Sequence, residues 1–270
     1  MPRILVTNDD GIDSEGLHVL ARAMRAHGDV VVVAPDSEYS GAGAALGALH
    51  LMRPDVHRVS VEGLDNVWTV AGPPALCTRF ALQGTFGAGY DLVVAGINPG
   101  ANTSARTPYH SGTIGATLTG RNMGLTGVAV SQDVTTGAIE GQAWDDMLLG
   151  QRWDTAAQVA SEIVGRLLAA PLDDPGVLNV NVPNIAFEDI RGYRYTALAP
   201  TPGRAMEGVD LEPIPGHHDA FHAVLRWGTR TEHAGDTDTG AVRDGYVSLT
   251  WLGRLTAVPS TTDALDTLLG

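Results

Sequence analysis

Residues able to do chemistry gather where apolar runs stop. Ile4-Leu5-Val6 ends in Thr7-Asn8-Asp9-Asp10-Gly11, the run at 30–35 is followed by Asp36-Ser37-Glu38-Tyr39-Ser40-Gly41, and the run at 91–97 leads into Asn98-Pro99-Gly100-Ala101-Asn102. Adjacent carboxylates such as Asp9 and Asp10 repel one another unless something neutralises them. With the Ser40 hydroxyl and the Asn98 amide carbonyl they make an all-oxygen donor set that suits Mg²⁺, Mn²⁺ or Ca²⁺. Asp-Asp-Gly by itself serves equally well as a turn or a helix cap; Ser40 and Asn98 at neighbouring strand ends are what favour a metal. Next, His110-Ser111-Gly112-Thr113 opens a helical stretch. Main-chain N–H groups at such a start, with small hydroxyl residues and the positive dipole end, cradle a phosphate, although Ser and Thr also act there as simple N-caps. His110 adjoins the cradle, where it either donates a proton to a leaving oxygen or faces solvent. A metal pocket facing a phosphate-binding helix start implies metal-assisted phosphoester hydrolysis.

Other candidates carry less. Asp9-Asp10 lacks the Asp-x-Asp spacing of an aspartyl-phosphate enzyme. Gly41-Ala42-Gly43 with Gly47 has the wrong spacing for a dinucleotide fingerprint and follows the second strand. His217, His218, His222 and His233 cluster in sequence and could hold a transition metal, but surface histidines commonly do not. Cys77 precedes an apolar helical pattern and reads as a buried small hydrophobe. Trp144 and Trp153 flank an irregular stretch and either pack or stack on a base.

The elements that must position these residues follow from periodicity. After the first strand, Ser14 is a candidate N-cap, Leu17, Leu20, Ala21 and Met24 recur at helical spacing, and Gly28 suits the stop. Val30-Val31-Val32-Val33-Ala34-Pro35 is apolar on both faces, as in a parallel sheet covered by helices. Strands are expected at 91–98, 127–131 and 177–182, and helices at 111–123 and 154–169. Their alternation predicts an α/β fold: a Rossmann-like, doubly wound, mainly parallel sheet, with ligands at the carboxyl ends of its strands. Past about residue 185 the pattern changes to strands at 192–199, 220–229 and 245–252, with no helical pattern until 262–269. We therefore expect a catalytic domain over 1–185 and, over 186–270, a β-rich extension with a C-terminal hairpin. Loops are expected at 200–219 and 230–244, and a mobile loop at 133–152.

Composition sets further bounds. The 270 residues carry a net charge of −14 and a single cysteine, and all 17 basic residues are arginine. The acidic balance argues against long nucleic acid as a partner. Without lysine there is no P-loop GK[ST] and no Schiff base. One cysteine leaves no disulfide framework. No apolar run approaches the ~18 residues of a membrane span, and the N-terminus enters a strand pattern without a secretory layout. A soluble, cytoplasmic protein is expected.

Taken together, the motifs resemble those of a known family. Ile4-Leu5-Val6-Thr7-Asn8-Asp9-Asp10-Gly11 resembles the opening signature of the SurE survival-protein family of nucleotidases. Val33-Ala34-Pro35-Asp36 with Ser40-Gly41-Ala42 is similar to its second motif, and Ala95–Asn102 with Ser111-Gly112-Thr113 to its third. Thr237-Asp238-Thr239 and Gly245-Tyr246-Val247-Ser248 resemble its C-terminal strand motif. The resemblance implies a phosphatase of nucleoside 5′- and 3′-monophosphates, in some members also of short polyphosphate. It implies one divalent cation, Mg²⁺ or Mn²⁺ (Ca²⁺ in crystals), on Asp9, Asp10, Ser40 and Asn98. Phosphate would be held by Asn102, Ser111, Gly112 and Thr113, and catalysis carried by Asp9, Asp10 and His110. It also implies a homodimer or tetramer through an exchanged C-terminal hairpin, within 186–250. Departures bear on the substrate: Ser37, Glu38 and Tyr39 stand where relatives commonly have basic and amide residues, Leu76 replaces a frequent Asp, and the segment 103–110 lacks the acidic residues common in relatives. A same-scaffold phosphatase for a small metabolite such as a sugar phosphate is the alternative enzyme. A non-catalytic nucleotide binder is the alternative class.

Overall fold

The apolar runs of this chain can be satisfied only if both faces of each strand are covered. In the computed structural model, which describes residues 1–134 and 148–257, this is what happens. The chain forms β1 (Arg3–Thr7), α1 (Glu15–Met24), β2 (Asp29–Pro35), β3 (Val56–Arg58), β4 (Val67–Val70), α2 (Pro74–Leu82), β5 (Leu92–Pro99), α3 (Gly112–Asn122), β6 (Gly127–Gln132) and α4 (Trp153–Ala169). It continues through β7 (Val177–Val182), β8 (Tyr193–Tyr195), β9 (Arg204–Pro213), β10 (Phe221–Arg230), α5 (Asp238–Arg243) and β11 (Val247–Leu252).

Nine strands make one sheet in the order β3-β4-β2-β1-β5-β6-β7-β11-β8. The run from β4 to β7 is parallel throughout. β3 and β11 pair antiparallel to β4 and β7, and β8 runs parallel to β11. Alternate side chains of β1 and β2 go to opposite faces. Ile4, Val6, Val32 and Ala34 join α1 and α4 in one core, while Leu5, Val31 and Val33 join α2 in the other. Burying such a side chain stabilises the fold by roughly 1.5–3 kcal/mol each. This is the expected doubly wound α/β architecture. β9 and β10 stand apart as a two-stranded antiparallel sheet.

Some expectations need correction. The loop expected at 200–219 contains β9, and the one at 230–244 contains α5. β3 and β4 were not anticipated; they extend the sheet beyond β2. β8 and β11 lie in the main sheet, which therefore includes strands from both sides of residue 185. Ser14 sits at the N-cap of α1 but its side chain makes no capping bond. Trp153 belongs to the core, beside Gly16. Trp144, most of the loop expected at 133–152 and the helix expected at 262–269 lie outside the described residues. Among the described residues no helix is long and apolar enough to cross a membrane.

Candidate active site

Strand order reverses at β1, whose neighbours are β2 and β5, so a crevice opens at their carboxyl ends. β1 delivers Asn8, Asp9 and Asp10 there. Gly11, at φ +97°, turns the chain away beneath Ser37; a Cβ at Gly11 would lie 3.2 Å from the Ser37 carbonyl. Ile12 N–H then donates to Pro35 O (2.8 Å), and Tyr39 N–H donates to Asp9 O (2.8 Å). These two bonds fasten the loop after β2 over the end of β1 and bring Ser40 alongside.

Asp9 is 3% exposed and points at the start of α3. Its Oδ1 accepts from Thr113 Oγ1 at 2.6 Å. Gly112 makes the approach possible: a Cβ there would lie 2.7 Å from Asp9 Oδ2. Ser111 caps the helix, its Oγ accepting from Ile114 N–H at 3.1 Å. Ser111 thus caps the helix with one lone pair and keeps its O–H as a donor, while Gly112 and Thr113 present the helix start to the carboxylate.

Asp10 differs. Both of its carboxylate oxygens are buried without a hydrogen-bond partner, as is Oδ1 of Asn8, whose Nδ2 donates to Gly11 O at 2.9 Å. Burial raises the Asp10 carboxyl well above its ordinary value of 3.8, and the charges of Asp9 and Glu38 add to the rise. Asp9 is also raised by burial, partly offset by the Thr113 hydroxyl. Two carboxylates crowded together with orphaned oxygens are costly in a bare protein. A divalent cation cancels that cost, and the donors on hand, carboxylate, amide and hydroxyl oxygen, are those that hard cations choose. The residues present fit such an ion.

Asn98 reaches the same crevice by a local irregularity. Between Ala95 and Asn98, β5 carries one residue more than β6, pairing Ala95 with Ala129 and Asn98 with Ser131. Such bulges re-aim side chains beside active sites. The Asn98 Nδ2 donates to Gly100 O (2.6 Å), leaving its Oδ1 as the donor available to a cation. Ser40 N–H donates to Glu38 Oε1 (2.6 Å), which holds a third carboxylate at this loop.

Asn102 is buried one strand further along. Its Nδ2 donates to Ser131 Oγ (2.9 Å), and its carbonyl accepts from Asn179 Nδ2 (2.8 Å) and Asn181 Nδ2 (3.2 Å). One Nδ2 hydrogen remains for a ligand. His110 is exposed; its main-chain carbonyl accepts from Gly43 N–H (2.8 Å), joining the loop after β2 to the start of α3. The expected residues thus fall into an inner group, Asp9, Asp10, Gly112 and Thr113, and an outer group, Ser40, Asn98, Asn102, Ser111 and His110, on the loops around it. Among the described residues no three His, Cys, Asp or Glu side chains gather as a metal cluster, and His217, His218 and His222 are exposed on the hairpin.

Three positioning residues escaped the sequence reading. Asp238 is fully buried, its Oδ2 accepting from Ser104 N–H (2.8 Å) and its Oδ1 from Ala199 N–H (2.9 Å). It braces the loop between Asn98 and Ser111. Asn179 and Asn181 steady that loop through Asn102. Polar residues inside a buried strand were the available signal for the asparagines; for Asp238 the only hint was its place within the Thr-Asp-Thr motif.

Fold and crevice together define an α/β protein with an acidic, helix-capped site at the switch point of a parallel sheet. The family model for survival protein SurE matches residues 4–203, and the chain belongs to the SurE family. It is 35% identical over 249 residues to the 5′-nucleotidase SurE of Haemophilus influenzae, spanning 92% of this chain and 90% of that one. It is 39% identical over 253 residues to the 5′-nucleotidase SurE of Xanthomonas euvesicatoria, spanning 92% and 88%. The crystal structure of SurE from Aquifex aeolicus superposes with a TM-score of 0.75 at 30% identity, covering 94% of this chain and 95% of that one.

Proposed function

We propose that this chain is a divalent-metal-dependent phosphomonoesterase that hydrolyses nucleoside 5′-monophosphates, and 3′-monophosphates by the same chemistry. One observation carries the reading: two carboxylates are buried side by side, Asp9 held at a helix start by Thr113 and Asp10 with both oxygens enclosed, where burial and the charge of Asp9 outweigh what the Asn8 side chain gives it. The names of the relatives, 5′-nucleotidase SurE, support the substrate class.

Asp9, Asp10, Ser40 and Asn98 would hold the cation. When bound, the cation supplies positive charge that polarises the phosphoryl group and eases deprotonation of the attacking water. The chain's own groups orient the ester. The main-chain N–H of Gly112, at the positive end of α3, receives a phosphoryl oxygen, Thr113 giving its own N–H to Asp9, and Asn102 contributes its remaining Nδ2 hydrogen. Thr113 fixes Asp9 in one rotamer. His110, at the open side, gives a proton to the departing oxygen. Glu38 adds negative charge to the crevice rather than the positive charge a polyanion would seek, which favours substrates with a single phosphate.

Five exposed apolar side chains on the hairpin, Met206, Val209, Leu211, Phe221 and Val224, support a homo-oligomer formed through β9 and β10. Isolated two-stranded ribbons are marginal in water without such a partner.

The test is phosphate release from AMP, 3′-AMP, ribose 5-phosphate and p-nitrophenyl phosphate, each with Mn²⁺ and with EDTA. The reading expects metal-dependent turnover that favours the nucleotides. Preference for ribose 5-phosphate would move the assignment to a sugar phosphatase, and binding without turnover to a nucleotide binder.

A further inference from the structure

A second depression adjoins the site. It is a cleft of ≈ 230 Å³ bounded on one side by the Gly100–Thr107 stretch and on the other by the base of the hairpin, with Trp227, Arg230 and His233. The wall it shares with the active site carries Asn98 at one end and Ser111 at the other: Asn98 Nδ2 donates to Gly100 O, and Ser111 N–H donates to Thr107 O. The two sites thus share this stretch of chain, along which a molecule with its phosphate at the start of α3 would reach the cleft. Pockets for whole drug-sized ligands run to ~300–1,000 Å³, so this one suits a single ring system.

Two polar groups of its lining are unspent. Trp227 Nε1 and His233 Nε2 are buried without a hydrogen-bond partner. Arg204 and Arg230 also line the cleft; Arg204 Nε donates to Gly228 O (2.8 Å), which leaves the outer nitrogens of its guanidinium for a ligand, and Arg230 places its charge near Asp133. Glu232 and Arg243 satisfy each other, so among the described lining residues Asp133, near the Arg230 charge, is the remaining carboxylate. Trp227 lies between two register irregularities of the hairpin, one on either side, so the strand geometry is broken where the indole enters the lining. Buried polar groups without partners are costly, and a ligand that pairs with them recovers that cost.

We propose that this cleft receives the nucleobase of the substrate and selects guanine, an inference that rests on the nucleotidase reading above. Guanine presents acceptors, O6 and N7, for the indole N–H and the arginines, and donors, N1–H and the 2-amino group, for the Asp133 carboxylate. Cytosine and uracil offer a smaller ring with fewer acceptors on one edge. Adenine puts a donor where O6 stands.

The test has two arms. Guanosine, which has no phosphate, is titrated calorimetrically into EDTA-treated protein. The proposal expects saturable binding, weakened about tenfold in Trp227→Phe, which keeps the aromatic ring and removes the N–H. With Mn²⁺ present, the ratio of kcat/KM for GMP over CMP is measured. It is expected to exceed one and to fall about tenfold in Trp227→Phe and in Asp133→Asn. No guanosine binding by the wild-type protein, or a GMP/CMP ratio unchanged in both variants, overturns the proposal. Hydrolysis of p-nitrophenyl phosphate without guanosine binding removes the cleft and leaves the hydrolase. Guanosine binding without any ester hydrolysis removes the hydrolase and leaves a base-binding cleft.

Discussion

The Thr113 hydroxyl lies 2.6 Å from Asp9 Oδ1, although the two residues are 104 positions apart in sequence. This contact ties the end of β1 to the start of α3, the two places where metal and phosphate chemistry were expected separately. A hydrogen bond to a carboxylate stabilises by about 1.5–3 kcal/mol, and here it also selects the carboxylate's orientation. Thr113→Val keeps the shape and removes the donor. It is expected to lower kcat/KM about tenfold with little change in melting temperature, read by steady-state kinetics and thermal unfolding. Wild-type kinetics in this variant would show that the contact is incidental.

Gly112→Ala tests the same junction by sterics. The added Cβ would lie 2.7 Å from Asp9 Oδ2, and a fully buried helix end has little room to shift. Overpacking of this kind costs about 1–3 kcal/mol. We expect a drop in melting temperature together with a loss of activity of about 10²-fold, because misplacing a catalytic group by about 1 Å is enough for that. A variant as active as wild type would mean that the helix start does not need to approach Asp9 closely.

How far the sequence alone could reach is visible in these elements. Val30-Val31-Val32-Val33 has no polar face, so a covered parallel strand was its only satisfactory setting, and α3 announced itself by Ser111 three residues before Ile114. The irregularity at Ala95–Asn98 left no trace in the pattern, because β5 is apolar on both faces and an extra residue breaks no alternation. β9, Arg-Ala-Met-Glu-Gly-Val-Asp-Leu-Glu-Pro, is largely exposed and mixes polar with apolar residues, so it lacks the buried face by which strands are recognised. α5 has only six residues, too few for a periodic signal. Val-Leu-Asn-Val-Asn-Val alternates polar and apolar residues at period two, yet both of its faces are buried, and the asparagines serve Asn102.

Acidity should act on the metal-free protein through Asp9 and Asp10. Both carboxyls are raised above 3.8 by burial, so between that value and their raised values the folded state holds more protons than the unfolded. Stability therefore falls as pH climbs through this window. A cation that binds the ionised pair reverses the loss. At ~100 times its dissociation constant it adds about 2.7 kcal/mol, or roughly 5–10 °C in melting temperature for a chain of this size. The Mn²⁺-induced shift should be larger at about pH 8 than at about pH 5. Asp10→Asn should raise the metal-free melting temperature near neutrality while abolishing the shift. An equal shift in that variant would place the ion elsewhere.

The hairpin gives a prediction about assembly. Val209 and Leu211 are 49% and 63% exposed. Light scattering at micromolar concentration should report a dimer or larger species, and Val209→Glu combined with Leu211→Glu should yield a folded monomer. A monomeric wild-type protein would refute the role given to β9 and β10.

Cys77 is fully buried in α2, its Sγ 3.9 Å from Gly72 O, and burial pushes its thiol far above the ordinary range. Thiolate is the reactive form. A disulfide reagent should leave the native protein unmodified and label one thiol per chain in denaturant. Rapid labelling of the native protein would show that the core around α2 opens.

The central claim, that Asp9 and Asp10 bind a cation which makes ester hydrolysis possible, is tested most directly by phosphate release from AMP as Mn²⁺ is returned to EDTA-treated protein, in wild type and in Asp9→Asn. The account predicts negligible turnover without metal and saturable recovery on titration. It also predicts a variant slower by about 10²-fold or more at saturating metal. Undiminished turnover in EDTA, or an Asp9→Asn protein as fast as wild type, would contradict it.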